Sequence, residues 1–163
     1  MNAASEFSET RAGLPSAAAG PARRREQVWL FPKGKNETLS EYFELREFAC
    51  RCGSARCHFT LVHPKLVETL QTLRQIVARP LILTSGFRCP DYNRVVGGRS
   101  RSFHTQGMAA DILCLEADHL EELAENAQRI PAIGGIGRYP LRKFVHLDVR
   151  GRTDSDAPES WSA

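Results

Sequence analysis

Ser102-Phe103-His104-Thr105-Gln106-Gly107-Met108-Ala109-Ala110-Asp111-Ile112-Leu113-Cys114 is the stretch that decides the fold. A histidine-bearing loop runs into a strand, expected over Ala109 to Leu115, in which Ala110, Ile112 and Cys114 face one way and Asp111 the other. An isolated carboxylate inside an apolar strand is costly, so Asp111 needs a hydrogen-bond partner, an ion pair or a cation. Phe144-Val145-His146-Leu147-Asp148-Val149 repeats the problem: alternation puts Phe144, His146 and Asp148 on one face and Val145, Leu147 and Val149 on the other. Two strands with polar residues where packing prefers apolar ones point to one shared site.

Working outward, Leu66, Leu70, Leu73 and Val77 recur at helical spacing behind Pro64, which predicts an amphipathic helix ended by Arg79-Pro80. Pro80 to Ser85 is a short apolar run of strand length closed by Gly86, and Arg88 to Thr105 reads as a long Gly- and Arg-rich loop. Asp118 with Glu121 resembles an N-cap pair for a second helix carrying Leu120, Leu123, Ala127 and Ile130 on one face and stopped by Pro131. Gly134 to Tyr139 and Phe144 to Val149 then form a hairpin through Pro140-Leu141-Arg142-Lys143. The order helix, strand, strand, helix, strand, strand predicts an α+β domain, with helices on one side of a mostly antiparallel sheet. The folded unit is expected over residues 38–151. Residues 1–37 read as a flexible leader with an apolar patch (Val28, Trp29, Leu30, Phe31) able to dock on the domain, and residues 152–163 as a polar tail.

The chain has 163 residues, 42% hydrophobic and 25% charged, which suits one globular domain. Its 22 Lys+Arg against 19 Asp+Glu leave +3, with no long run of like charge, so composition gives no nucleic-acid footprint. No stretch reaches the ~18 consecutive apolar residues of a membrane span, and the N-terminus lacks the apolar core of a secretory signal. Localisation and oligomeric state stay open.

Two histidines and a carboxylate form a common three-ligand set for catalytic zinc, leaving a position for water. A buried His–Asp hydrogen bond without metal is the alternative, and spacing alone does not choose. Among the remaining candidates, His119 reads as a solvated helix residue, His63 before Pro64 as a cap, and Cys114 as core. Cys50-Arg51-Cys52-Gly53-Ser54-Ala55-Arg56-Cys57-His58 has ligand types for a structural metal, but Cys-x-Cys is tighter than the usual knuckle. A disulfide involving Cys89, or buried free thiols, compete with it. Arg94, Arg99 and Arg101 form either an anion-attracting cluster or a solvated loop.

The pattern Ser-x-His-x-x-Gly-x-Ala-x-Asp, met by Ser102, His104, Gly107, Ala109 and Asp111, resembles the signature of the zinc D-alanyl-D-alanine carboxypeptidases and related peptidoglycan peptidases. Their fold is shared with the Hedgehog amino-terminal domain. Gly135-Ile136-Gly137-Arg138-Tyr139-Pro140 with Phe144 to Arg150 resembles the closing segment of that family, and Thr84-Ser85-Gly86-Phe87-Arg88-Cys89-Pro90 its substrate-side loop. The resemblance implies a Hedgehog/D,D-peptidase-like fold, Zn2+ held by His104, Asp111 and His146, and a peptidoglycan stem peptide as substrate. It also implies Arg88 and Ser102 on the substrate side, with Arg88 stabilising the developing oxyanion.

The chain departs from the family at one place. Many relatives carry a Glu or Asp general base three residues before the last histidine ligand, where Lys143 stands here, and another branch uses a His where Phe144 stands. Asp148 is the remaining carboxylate on the correct face, as base or as acceptor orienting an imidazole N–H. A non-catalytic wall-binding module on the same fold is the competing expectation.

Overall fold

The computed structural model describes residues 27–152 and 157–163. Four α-helices, α1 (Leu45–Phe48), α2 (Pro64–Val77), α3 (Pro90–Val95) and α4 (Ala117–Gln128), accompany seven strands in two sheets among the described residues. The strands are β1 (Trp29–Pro32), β2 (Phe59–Val62), β3 (Leu83–Ser85), β4 (Ala109–Leu113), β5 (Gly135–Tyr139), β6 (Phe144–Asp148) and β7 (Glu159–Ser162). β1 and β2 form an antiparallel ribbon, and the larger sheet has the order β3-β4-β6-β5-β7. Its pairs are antiparallel except β5 with β7, which makes the sheet mixed.

The pleat sorts the sheet residues onto two faces. Ala110, Ile112, Ile136, Val145, Leu147 and Val149 join one buried core with Leu66, Leu70, Leu73 and Val77 of α2 and Leu120, Leu123, Ala124 and Ala127 of α4. Asp111 stands directly opposite His146, and Gly137 opposite His146 on the far side. α2 begins as its sequence predicts: His63 caps it by accepting from Lys65 N at 3.2 Å, with Pro64 in the first turn, where no N–H is needed.

Several elements differ from the sequence expectation. β1 lies within the expected leader 1–37 because Trp29, Leu30 and Phe31 pair with β2, and β7 lies within the expected tail 152–163 because it pairs with β5. The expected loop after Arg88 contains α3 and a 3₁₀ turn, Phe103–Gln106. α4 starts earlier than expected: Glu116 is its N-cap, and Asp118 lies in the first turn, where its charge favours the positive helix end. The expected leader's residues 1–26 and the tail's 153–156 lie outside the described residues. No helix among the described residues is long and apolar enough to cross a membrane.

Candidate metal centre and active-site cleft

The face of the sheet turned away from α2 and α4 floors a cleft of about 1060 Å³, lined by Arg88, His104, Asp111 and His146 together with Tyr139 and Trp161. His104 arrives from the 3₁₀ turn, which ends at Gly107 with φ 70°, in the left-handed region. A Cβ at Gly107 would also stand 2.6 Å from the Leu61 carbonyl, so this position admits glycine alone. Asp111 and His146 need no special turn, because β4–β6 register sets them side by side.

His104 Nε2 is 3.1 Å from Asp111 Oδ1 and 3.1 Å from His146 Nδ1, and His146 Nδ1 is 2.9 Å from the same Asp111 oxygen. The other ring nitrogens are committed. His104 Nδ1–H donates to the Gly86 carbonyl at 2.7 Å, and His146 Nε2–H donates to Asp148 Oδ2 at 3.2 Å. In their neutral forms both rings therefore turn lone pairs toward a carboxylate oxygen. Three acceptors facing one point are reconciled only by a proton or a cation. Zinc ligands at ~2.0–2.1 Å from the ion stand about 3.3 Å apart in tetrahedral geometry, close to the observed triangle. The donor set fits a metal, and these residues form a possible metal site.

The electrostatics agree with that geometry. Burial opposes the charge on Asp111, but hydrogen bonds and charge from His104 and His146 hold its carboxyl well below the usual range. Burial lowers His104. Burial also pulls His146 down, and hydrogen bonds to Asp111 and Asp148 more than reverse this, so His146 lies above its usual value.

The second oxygen of Asp111 receives Arg88 Nη2, while Arg88 Nε donates to Ser85 Oγ at 2.7 Å. Ser102 lines the cleft at the head of the 3₁₀ turn, and its carbonyl accepts from Thr105 Oγ1 at 2.6 Å. Asp148 stands behind His146, fully buried, and is gripped by Arg150 through Nε at 2.7 Å, Nη2 at 2.6 Å and the backbone N at 3.1 Å. Burial raises its carboxyl, but His146 and Arg150 outweigh that and hold it down at about 2. Lys143 occupies the hairpin turn with φ 57°. Arg99 and Arg101 line the cleft, whereas Arg94 pairs with Asp91 at 3.5 Å outside it.

Sequence reasoning missed several contributors. The Gly86 carbonyl orients His104 but belongs to a backbone atom that no side-chain pattern reveals. Arg150 sits in the motif, yet its grip on Asp148 needs the strand to be built. Trp161 comes from β7: its ring lies 5.6 Å from His146, and its Nε1–H donates to Tyr139 Oη at 3.0 Å. Glu159 of the same strand is, with Asp111, the cleft-lining carboxylate among the described residues, and it pairs with Arg150 Nη1 at 2.5 Å.

Residues 41–148 match the Peptidase M15 family. The peptidoglycan L,D-endopeptidase MepK of Escherichia coli (strain K12) is 35% identical over 99 residues, which cover 54% of this chain and 51% of that protein. The protein of the same name from Shigella flexneri matches with the same identity of 35% and the same coverage. The chain spans about half the length of the curated relatives it matches.

Proposed function

Since the chain belongs to the peptidase M15 family, we propose that it is a zinc-dependent peptidase of Hedgehog/D,D-peptidase-like fold that cuts a peptide bond within peptidoglycan stem peptides. The observation that carries this reading is the convergence of His104 Nε2, His146 Nδ1 and Asp111 Oδ1 at 2.9–3.1 Å in an open cleft. Zinc bound by these residues supplies Lewis-acid polarisation of a carbonyl and acidifies water.

The protein's own groups do the rest. Arg88, held on Asp111 Oδ2, is the donor that takes up charge developing on the carbonyl oxygen. Gly86 and Asp148 each hold one imidazole proton, so that both rings keep a lone pair toward the metal. Because Asp148 is buried behind His146, its role is to position that ring; Glu159, half-exposed and paired with Arg150, is the other carboxylate besides Asp111 that lines the cleft among the described residues. Ser102, Arg99 and Arg101 line the side on which a carboxylate-bearing stem peptide would lie. That the similar proteins are L,D-endopeptidases supports an internal cut over removal of a terminal residue.

The test is incubation of zinc-supplied protein with purified peptidoglycan, followed by mass spectrometry of the released fragments. New fragments from an internal stem bond, absent with His146→Ala, support the proposal. Loss of a terminal D-alanine alone would reassign the bond. Lys143 at the family's usual base position and the engagement of Asp148 favour one second reading, a zinc-bearing wall-binding module. Binding to peptidoglycan with no new fragments would establish that reading instead.

A further inference from the structure

Cys50 and Cys52 follow α1, Cys57 precedes β2, and Cys89 caps α3 from more than thirty residues downstream. Their four sulfur atoms nevertheless lie within 4.8 Å of one another, and all four thiols are free. The Cys52 and Cys89 sulfurs are 3.6 Å apart. Thiolates ~2.3 Å from a tetrahedral zinc stand about 3.8 Å apart, whereas a disulfide brings two sulfurs to ~2.05 Å and leaves the others out. We propose that Cys50, Cys52, Cys57 and Cys89 form a second, structural metal site that takes zinc or a similar thiolate-seeking divalent cation.

Two further observations point the same way. The sulfurs receive donors suited to thiolates: the Cys89 backbone N–H donates to Cys50 Sγ at 3.3 Å, and Lys33 Nζ approaches Cys52 Sγ at 3.5 Å while donating to the Cys52 carbonyl at 2.8 Å. The cluster also sits where packing is thin. Cys50, Cys57, Phe87 and Cys89 form a small buried group separate from the main core, and residues 49–58 contain no helix or strand. A closed four-ligand metal supplies the cross-link that so small an apolar cluster cannot.

The site has a consequence for the cleft, and this part rests on the proposed peptidase reading, whereas metal binding itself does not. Residues 86–89 are shared by both centres. The Gly86 carbonyl holds His104, Arg88 holds Asp111, and Cys89 ligates the second metal. Phe87 N donates to the Phe48 carbonyl at 2.7 Å, and a Cβ on Gly86 would stand 2.6 Å from Phe48 Cα. The second metal thus fixes the segment that aims Arg88.

The experiment is metal analysis of the full chain purified under reducing conditions with zinc supplied, alongside His146→Ala and Cys52→Ser. Wild type is expected to carry about two equivalents, and each variant about one. Cobalt substitution assigns them: wild type and His146→Ala should show the thiolate-to-cobalt charge-transfer band of a tetrahedral sulfur site, and metal should shield the cysteines of wild type from alkylation. Wild type and His146→Ala do not depend on Cys52→Ser folding. Absence of the charge-transfer band in both, or thiols that alkylate equally with and without metal, would overturn the proposal. So would oxidised cysteines that reductant alone releases, since those are disulfides. Failure of the histidine site would show separately, as one sulfur-bound equivalent without peptide cleavage.

Discussion

The histidine–aspartate cluster and the cysteine cluster each bring electron-pair donors to one point, but they are assembled by opposite means. The first is built on β4 and β6, where register alone sets Asp111 beside His146, and it opens onto a cleft. The second is gathered from irregular segments and is mostly buried. Strand pairing delivers a rigid site with an accessible face, suited to chemistry. Loops joined through side chains deliver a closed site, suited to holding the chain together.

The sharpest way to break this comparison is to remove a ligand from the open site. His104→Ala or His146→Ala should abolish hydrolysis, an effect above the ~100-fold expected for outer-shell changes, while the sulfur-bound metal stays. Simultaneous loss of both metals would show that the two centres fold as one. Arg88→Ala tests the bridge between them. It should lower kcat by about 10²–10³-fold with metal retained, measured by peptide cleavage and metal analysis together. Asp148→Asn should weaken metal binding at the histidine site by about 10–100-fold, with activity recovered at high zinc. Activity lost at unchanged metal affinity would instead make Asp148 a participant in proton transfer.

The pH dependence has a definite sign. A metal at the proposed site would displace a proton from His146, which burial pulls down but hydrogen bonds to Asp111 and Asp148 hold above its usual value, so affinity there should climb as pH rises through the His146 titration and fall below it. Titrating zinc binding in the Cys52→Ser background isolates the effect; an affinity independent of pH across that range would refute it. Asp148, held down to about 2, contributes stability that is complete above its usual 3.8 and lost as pH falls through about 2. The smallest effect is steric: Gly137→Ala places a Cβ 2.6 Å from the Trp161 ring, and should cost about 1–3 kcal/mol in chemical denaturation.

Much of the open site was legible because strand alternation is a local signal. The facing of Asp111, His146 and Asp148, and of Val145 and Leu147 behind them, follows from period two, and α2 follows from Leu66, Leu70, Leu73 and Val77. What escaped was non-local. Trp29 to Phe31 gives no sign of its partner until β2 is in place, and Glu159-Ser160-Trp161-Ser162 has no apolar alternation to mark it as a strand. Cys89 was legible only as a disulfide candidate for the Cys50–Cys57 run; that it meets all three cysteines at once depends on where α3 starts.

The two ends of the large sheet carry one more consequence. β3 is three residues long and β7 four, so among the described residues the large sheet ends on both sides in short strands that present little edge backbone to another molecule. By lying along β5, the strand that supplies Trp161 also caps a five-residue template for self-association. The open face of the sheet and its closed edges are thus separate features: the cleft lies on the face, and the short outer strands leave little edge backbone for strand-to-strand association.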